Sequence, residues 1–212
     1  MFNKYLEAGI GLAASLALTT LGAGGAEAAN LIDNGGFETG SFSSWSTTGN
    51  LEVVDTAIFG GNGSFSANFN GGNEISDGIL SQSFTTVSGQ SYQLQFIYGT
   101  FSTQFPGTSQ SIFVELDGLG GNGSLLSTSL SDLGSDPTTF NTFQFDFIAD
   151  SATTTLRLSD DPANPTTSVD FIVDDISVIS TTTPIPEPLT LLGASAAIAF
   201  GAGFKRRRSS NS

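Results

Sequence analysis

The sequence predicts an all-β protein: a two-sheet antiparallel sandwich flanked by an N-terminal signal helix and a C-terminal transmembrane helix. Three observations carry this. Short segments with apolar residues at every second position recur between the two ends, clusters of Gly, Asn, Asp, Ser and Pro separate them, and no segment there sustains a 3.6-residue period. About nine short strands, each with one apolar face, bury those faces by stacking one sheet on another.

The strands follow in order. Tyr92-Gln93-Leu94-Gln95-Phe96-Ile97-Tyr98 alternates over seven residues, with Gln93 and Gln95 on the face opposite Leu94 and Phe96. Phe143-Gln144-Phe145-Asp146-Phe147 and Leu156-Arg157-Leu158 do the same. Leu51–Asp55, Ser64–Asn70, Leu80–Val87, Ile112–Asp117, Leu125–Leu130 and Phe171–Ile179 are the remaining candidates. Phe occurs 18 times, mostly at alternating strand positions, and reads as the core between the sheets; Tyr92 and Tyr98 align with it. Gly60-Gly61-Asn62-Gly63-Ser64 recurs as Gly120-Gly121-Asn122-Gly123-Ser124. Asn-Gly favours positive φ, so both copies read as tight turns feeding a strand. In the last candidate strand, Phe171 and Val173 fall on one face and Ile176 and Val178 on the other, so the register switches at Asp174-Asp175, as at a bulge.

The two ends are addresses rather than fold. Lys4 precedes an apolar stretch from Ala8 to Gly25, and Ala26-Glu27-Ala28 forms an A-x-A cleavage site, so residues 1–28 read as a signal peptide handled by signal peptidase and the export machinery. After the sandwich at 29–180 and a linker at 181–185 come Pro186-Glu187-Pro188, an uncharged run at 189–204, the basic cluster Lys205, Arg206, Arg207 and Arg208, and a tail at 209–212. Pro-x-Pro is not helical. The run is slightly short of the ~20 residues that span a bilayer, and the basic cluster holds its end on the cytoplasmic side. This order resembles the PEP-CTERM sorting signal, which implies processing by an exosortase and delivery to the cell surface or extracellular matrix. The plainer reading is an ordinary C-terminal membrane anchor.

Composition limits the chemistry of the exported part. Of 20 acidic residues only Glu7, Glu27 and Glu187 lie in the end segments; of six bases only Arg157 lies between them, so 17 acids face one base and the net charge is −16. Nucleic acid is excluded as a partner, because phosphate binding needs a basic surface; cations are favoured. Without Cys or His there is no disulfide, no Ser-His-Asp triad and no His-ligated zinc. The common hydrolytic mechanism left is a carboxylate pair.

Asn30-Leu31-Ile32-Asp33-Asn34-Gly35-Gly36-Phe37-Glu38 at the start, and Phe171-Ile172-Val173-Asp174-Asp175-Ile176-Ser177-Val178 at the end, together resemble jelly-roll carbohydrate-binding modules of the family 4/9/22 type, within the galactose-binding-domain-like group. The resemblance implies a jelly-roll sandwich and a structural Ca²⁺ held by Glu38 and Asp174, with Asp175 as alternate ligand and Gly36 as carbonyl donor. Carboxylate and carbonyl oxygens suit Ca²⁺. The alternative is that these carboxylates are solvated charges at sheet edges.

Sugar binding needs aromatic faces and convergent polar groups. Trp45, the only Trp, and Gln93, Gln95 and Glu115 are the candidate glycan face, although packing near the start of the domain is the favoured reading of Trp45. The leading functional reading is a non-catalytic exported surface or matrix protein, associated with exopolysaccharide through a calcium-stabilised jelly roll. The alternative is a carbohydrate-binding module with a defined glycan, and extracellular polysaccharide is the partner in both. A third is a small glycoside hydrolase or lyase pairing Glu115 with Asp117 or Asp146.

Overall fold

The computed structural model describes residues 28–71, 76–120, 124–164, 166 and 168–181. Residues 1–27 of the expected signal peptide, the linker from 182, the expected 189–204 helix and every residue of the sorting motif lie outside these. Alternation places the strands as expected: β2 (Leu51–Asp55), β3 (Phe65–Phe69), β4 (Ile79–Thr85), β5 (Ser91–Phe101), β6 (Ser109–Gly118), β7 (Ser124–Leu133), β8 (Asn141–Ile148), β9 (Thr153–Asp160) and β10 (Asp170–Ser180). Two elements were not expected. A short β1 (Ser46–Thr48) pairs with β4, and a single helical turn, α1 (Thr56–Phe59), follows β2. Asp55 caps that turn through its side chain, which accepts from the Ala57 N–H.

The strands form two five-stranded antiparallel sheets, ordered β1-β4-β9-β6-β7 and β2-β3-β10-β5-β8. Leu80, Ile112, Val114, Leu116, Leu156 and Leu158 of the first sheet meet Phe69, Leu94, Phe96, Phe171 and Val173 of the second in one buried core. Tyr92 stacks on Phe147 with ring centroids 5.6 Å apart, and Tyr98 on Phe171 at 5.7 Å, so both tyrosines serve the core.

The bulge in β10 is real, but the faces differ from the expectation. Asp174 pairs with Ile97 and Ser177 with Gln95, so three steps on β10 match two on β5. Asp175 takes a left-handed φ of 53° to absorb the extra residue. The bulge therefore returns Ile176 and Val178 to the core beside Phe171 and Val173, rather than sending them to the other face.

The opening segment is not a strand, although it is tied to β10 as one would be. The Leu31 N–H donates to the Val178 carbonyl at 2.8 Å, and the Ile176 N–H to the Gly35 carbonyl at 3.0 Å. The Asn30 side-chain oxygen accepts from the N–H of Ile32 at 3.0 Å and of Val178 at 2.9 Å. Gly35 lies where a Cβ would strike the Ile176 carbonyl, which only glycine permits. Asn30→Ala is expected to cost about 1–2 kcal/mol, since it strips two N–H groups of their acceptor; urea unfolding at matched m-value measures it.

Candidate functional site

Two sites emerge, one at the acidic bulge and one on the outer face of the first sheet.

At the bulge the structure brings together all four predicted calcium residues. Asp174 is fully buried and accepts from the Asn62 N–H at 2.7 Å and the Asp175 N–H at 2.7 Å. Glu38 accepts from the N–H groups of Ser64 and Phe65. A Cβ on Gly36 would lie 3.6 Å from an oxygen of Asp175 and 3.8 Å from one of Asp174. The Gly60–Ser64 turn closes over this cluster. Gly61 lies where a Cβ would come 2.7 Å from the Asp174 carboxylate, and Gly63 where one would overlap that of Glu38. The Asn62 side-chain amide donates to Asp175. The glycines of this turn thus let a backbone lie against carboxylates, and Gly120, the first residue of the second copy, likewise lies against Asp150.

Burial pushes the Asp174 carboxyl up to about 7; two backbone N–H groups pull it down, and the charges of Asp175 and Glu38 push it up again. Three carboxylates gather here, while Arg157, the only base among the described residues, stands on the first sheet. Excess negative charge and hard oxygen donors fit Ca²⁺. Among the described residues no group of three acidic side chains is arranged to hold a metal unaided, so backbone carbonyls would have to complete the ligand set.

The predicted glycan face does not form one surface. Gln93 and Gln95 face outward from the second sheet, where the Gln93 amide donates to Asp146 at 2.8 Å. Glu115 faces outward from the first sheet, on the far side of the sandwich. Alternation tells inside from outside but not which sheet a strand joins. The same separation divides Glu115 from Asp146, so these two carboxylates cannot flank one bond. Trp45 offers no stacking face. It is buried against Phe37, with ring centroids 5.9 Å apart, and its indole N–H donates to the Asn34 carbonyl at 3.1 Å.

On the outer face of the first sheet, around Arg157, lies a pocket of about 380 Å³. This falls within the roughly 300–1,000 Å³ of small-molecule sites. Phe113 of β6 and Ile79 of β4 give it apolar walls; Arg157 and Ser159 of β9 and Asp77 of the preceding loop add polar groups, and Pro162 closes one side. Arg157 pairs with Glu115 at 2.5 Å and also donates to the Ser159 hydroxyl at 3.1 Å, which aims its guanidinium along the sheet. At the pocket's edge Asp160 accepts from the Gly78 N–H at 2.9 Å and so fixes the loop wall. Burial raises its carboxyl to about 6, against the pull of Gly78 and Gln110 and with the push of Asp77. Sequence reasoning missed Phe113. The signal was its place on the polar parity of Ile112-Phe113-Val114-Glu115-Leu116, where an aromatic ring has no core to fill.

Residues 29–159 match the family of carbohydrate binding domains of type 4/9. The chain belongs to this carbohydrate-binding family. No curated protein matches it. Among solved structures, the domain is similar to TmCBM61 in complex with β-1,4-galactotriose, with a TM-score of 0.55, 18% identity, and 72% of this chain and 99% of that one covered. It is similar to the CBM22-1 xylan-binding domain of Xyn10C from Paenibacillus barcinonensis, with a TM-score of 0.51, 15% identity, and 74% and 97% covered. It is also similar to the K1 cleaved adhesin domain of Lys-gingipain from Porphyromonas gingivalis, with a TM-score of 0.51, 15% identity, and 69% and 96% covered. At these identities the likeness is one of fold, and it agrees with the expected two-sheet jelly-roll sandwich.

Proposed function

We propose that this carbohydrate binding domain is a non-catalytic module that holds polysaccharide in the pocket on its first sheet. The observation that carries the reading is the grouping of Phe113, Arg157 and Asp77 around one concavity in a chain of this family. Phe113 supplies an apolar face for a pyranose ring, and Arg157 and Asp77 supply a donor and an acceptor for its hydroxyls. The Glu115–Arg157 pair is half-exposed and adds little stability; its use is to orient a planar fork of donors.

The tail supports the remainder of the reading: export, processing by an exosortase, and retention at the cell surface or in the matrix, where the polysaccharide lies. Ca²⁺ at Glu38, Asp174 and Asp175, with Gly36 as carbonyl donor, would staple the opening segment to β10 and stiffen the module without touching the sugar.

A glycan array and exopolysaccharide pull-down test the binding. Selective capture is expected, with Phe113→Ala and Arg157→Ala each weakening it about tenfold or more and Gln93→Ala leaving it unchanged. Loss with Gln93→Ala but not with Phe113→Ala would move the site to the other sheet, and capture of no glycan would sink the reading.

A further inference from the structure

Both chain ends leave the sandwich at one end, and that end differs in chemistry from the other. The Thr181 N–H donates to the Ser91 carbonyl at 3.0 Å, and Leu31 is bound to Val178 three residues before it. Ser91 pairs with Ile148 at the same edge. Three strand connections fall at this end, those after β4, β6 and β8, and their described residues are 86–90, 119–120 and 149–152. They are bound to one another, since Ser88 and Thr86 donate through their hydroxyls to the carbonyls of Asp150 and Ser151, and the Leu119 N–H donates to the Ser151 hydroxyl at 3.0 Å.

One bare aliphatic side chain stands in or beside each connection, Ile148 being the last residue of β8. Val87 is 57%, Leu119 80% and Ile148 62% exposed. Their only ionisable residue is Asp150, whose two carboxylate oxygens are buried without a hydrogen-bond partner. The exposed carboxylates beside it lie inside strands, Asp117 in β6 and Asp146 in β8, each within three residues of a connection. At the opposite end, which carries the pocket, the described connections hold Asp77, Asp136 and Asp161. A domain with net charge −16 thus keeps exposed charge out of the described connections of one end, and it is the end at which Thr181 lies.

We propose that this end rests on a lipid bilayer, with Val87, Leu119 and Ile148 set into its interface and the pocket held on the side away from the membrane. The proposal rests on reading 189–204 as a bilayer-crossing segment. Seven residues, 182–188, separate Thr181 from that run. Fully extended they reach at most about 25 Å, so the exit end is tethered close to the surface. Aliphatic tips among hydroxyls are suited to the headgroup boundary. The acidic opposite end would be repelled by any anionic leaflet, which sets the same orientation.

The chain has no cysteine, so single thiols report cleanly. V87C, L119C and I148C of the full chain, together with F105C at the opposite end and A196C inside the apolar run, would each carry an environment-sensitive fluorophore. Each would be reconstituted in phosphatidylcholine vesicles with and without spin-labelled lipid. Expected is a blue shift and quenching at 87, 119 and 148, stronger quenching at 196, and neither change at 105. Quenching at 196 with none at 87, 119 and 148 overturns the proposal while leaving the membrane segment intact. No quenching at 196 overturns both, and equal quenching at 105 shows that the domain has no preferred orientation.

Discussion

Replacing Phe37 with alanine is expected to lower the stability of the domain by about 3–5 kcal/mol, the cost of truncating a large core aromatic. Phe37 is fully buried although it lies in a segment with no regular structure. It holds a left-handed φ of 55° and packs against Phe42 at 5.8 Å and Trp45 at 5.9 Å. Its neighbours are anchored elsewhere: Asn34 donates to the carbonyls of Ser41 and Ser43, Gly35 lies against β10, and Glu38 accepts from the 64–65 backbone. With these fixed, the loop cannot collapse into the cavity, so the cost should fall at the high end. Guanidinium unfolding of wild type and Phe37→Ala measures it. A loss below ~1.5 kcal/mol would mean that the opening segment is not anchored as described.

This loop shows what a sequence reveals and what it hides. Asn-x-x-x-Asn-Gly-Gly-Phe-Glu stands out as a string, yet its meaning lies in partners up to 148 residues away, such as Val178 for Asn30. Tyr92, Leu94 and Phe96 reveal their strand because alternation is local. Ser46–Thr48 forms β1 without an apolar residue, so no pattern marks it. The β10 bulge was legible because an extra residue shifts the parity of apolar positions; that both halves stay on the core was not, because parity alone does not say whether the chain or the face has changed. Glu115 and Gln93 carry the same outward signal, and only strand order divides them between two surfaces. The pocket was hidden for the same reason, since Phe113 and Arg157 become neighbours only when β6 pairs with β9. The fit of Gly61 and Gly63 against Asp174 and Glu38 was likewise invisible, although the repeat itself was plain.

Two buried carboxylates, Asp160 and Asp174, and the half-buried Asp170 make stability fall with pH when no metal is present. Asp174 titrates near 7, and Asp160 and Asp170 near 6, each raised first by burial. In the unfolded chain all three titrate near ~3.9. The folded protein therefore holds more protons than the unfolded one between about pH 4 and 7, and the unfolding free energy falls as pH rises through that window. Each unit of displacement corresponds to ~1.4 kcal/mol, so even after allowance for screening the three together should cost about 3 kcal/mol or more. In chelator the melting temperature at pH 5 should exceed that at pH 7.5. Calcium changes the sign of the local field at Asp174, because a bound dication favours the ionised carboxylate that desolvation penalises. Excess Ca²⁺ at pH 7.5 should then raise stability by about 2.7 kcal/mol at a hundred times its dissociation constant, and flatten the share of the pH slope that belongs to Asp174. Asp174→Asn should remove both the calcium response and that share, while Asp160→Asn removes only its own part of the slope. Stability rising with pH in chelator would show that these carboxylates are ionised at little cost in the folded domain. A melting temperature unmoved by Ca²⁺ at pH 7.5 would leave the acidic cluster as a purely hydrogen-bonded clasp between the opening loop, the Gly60–Ser64 turn and β10.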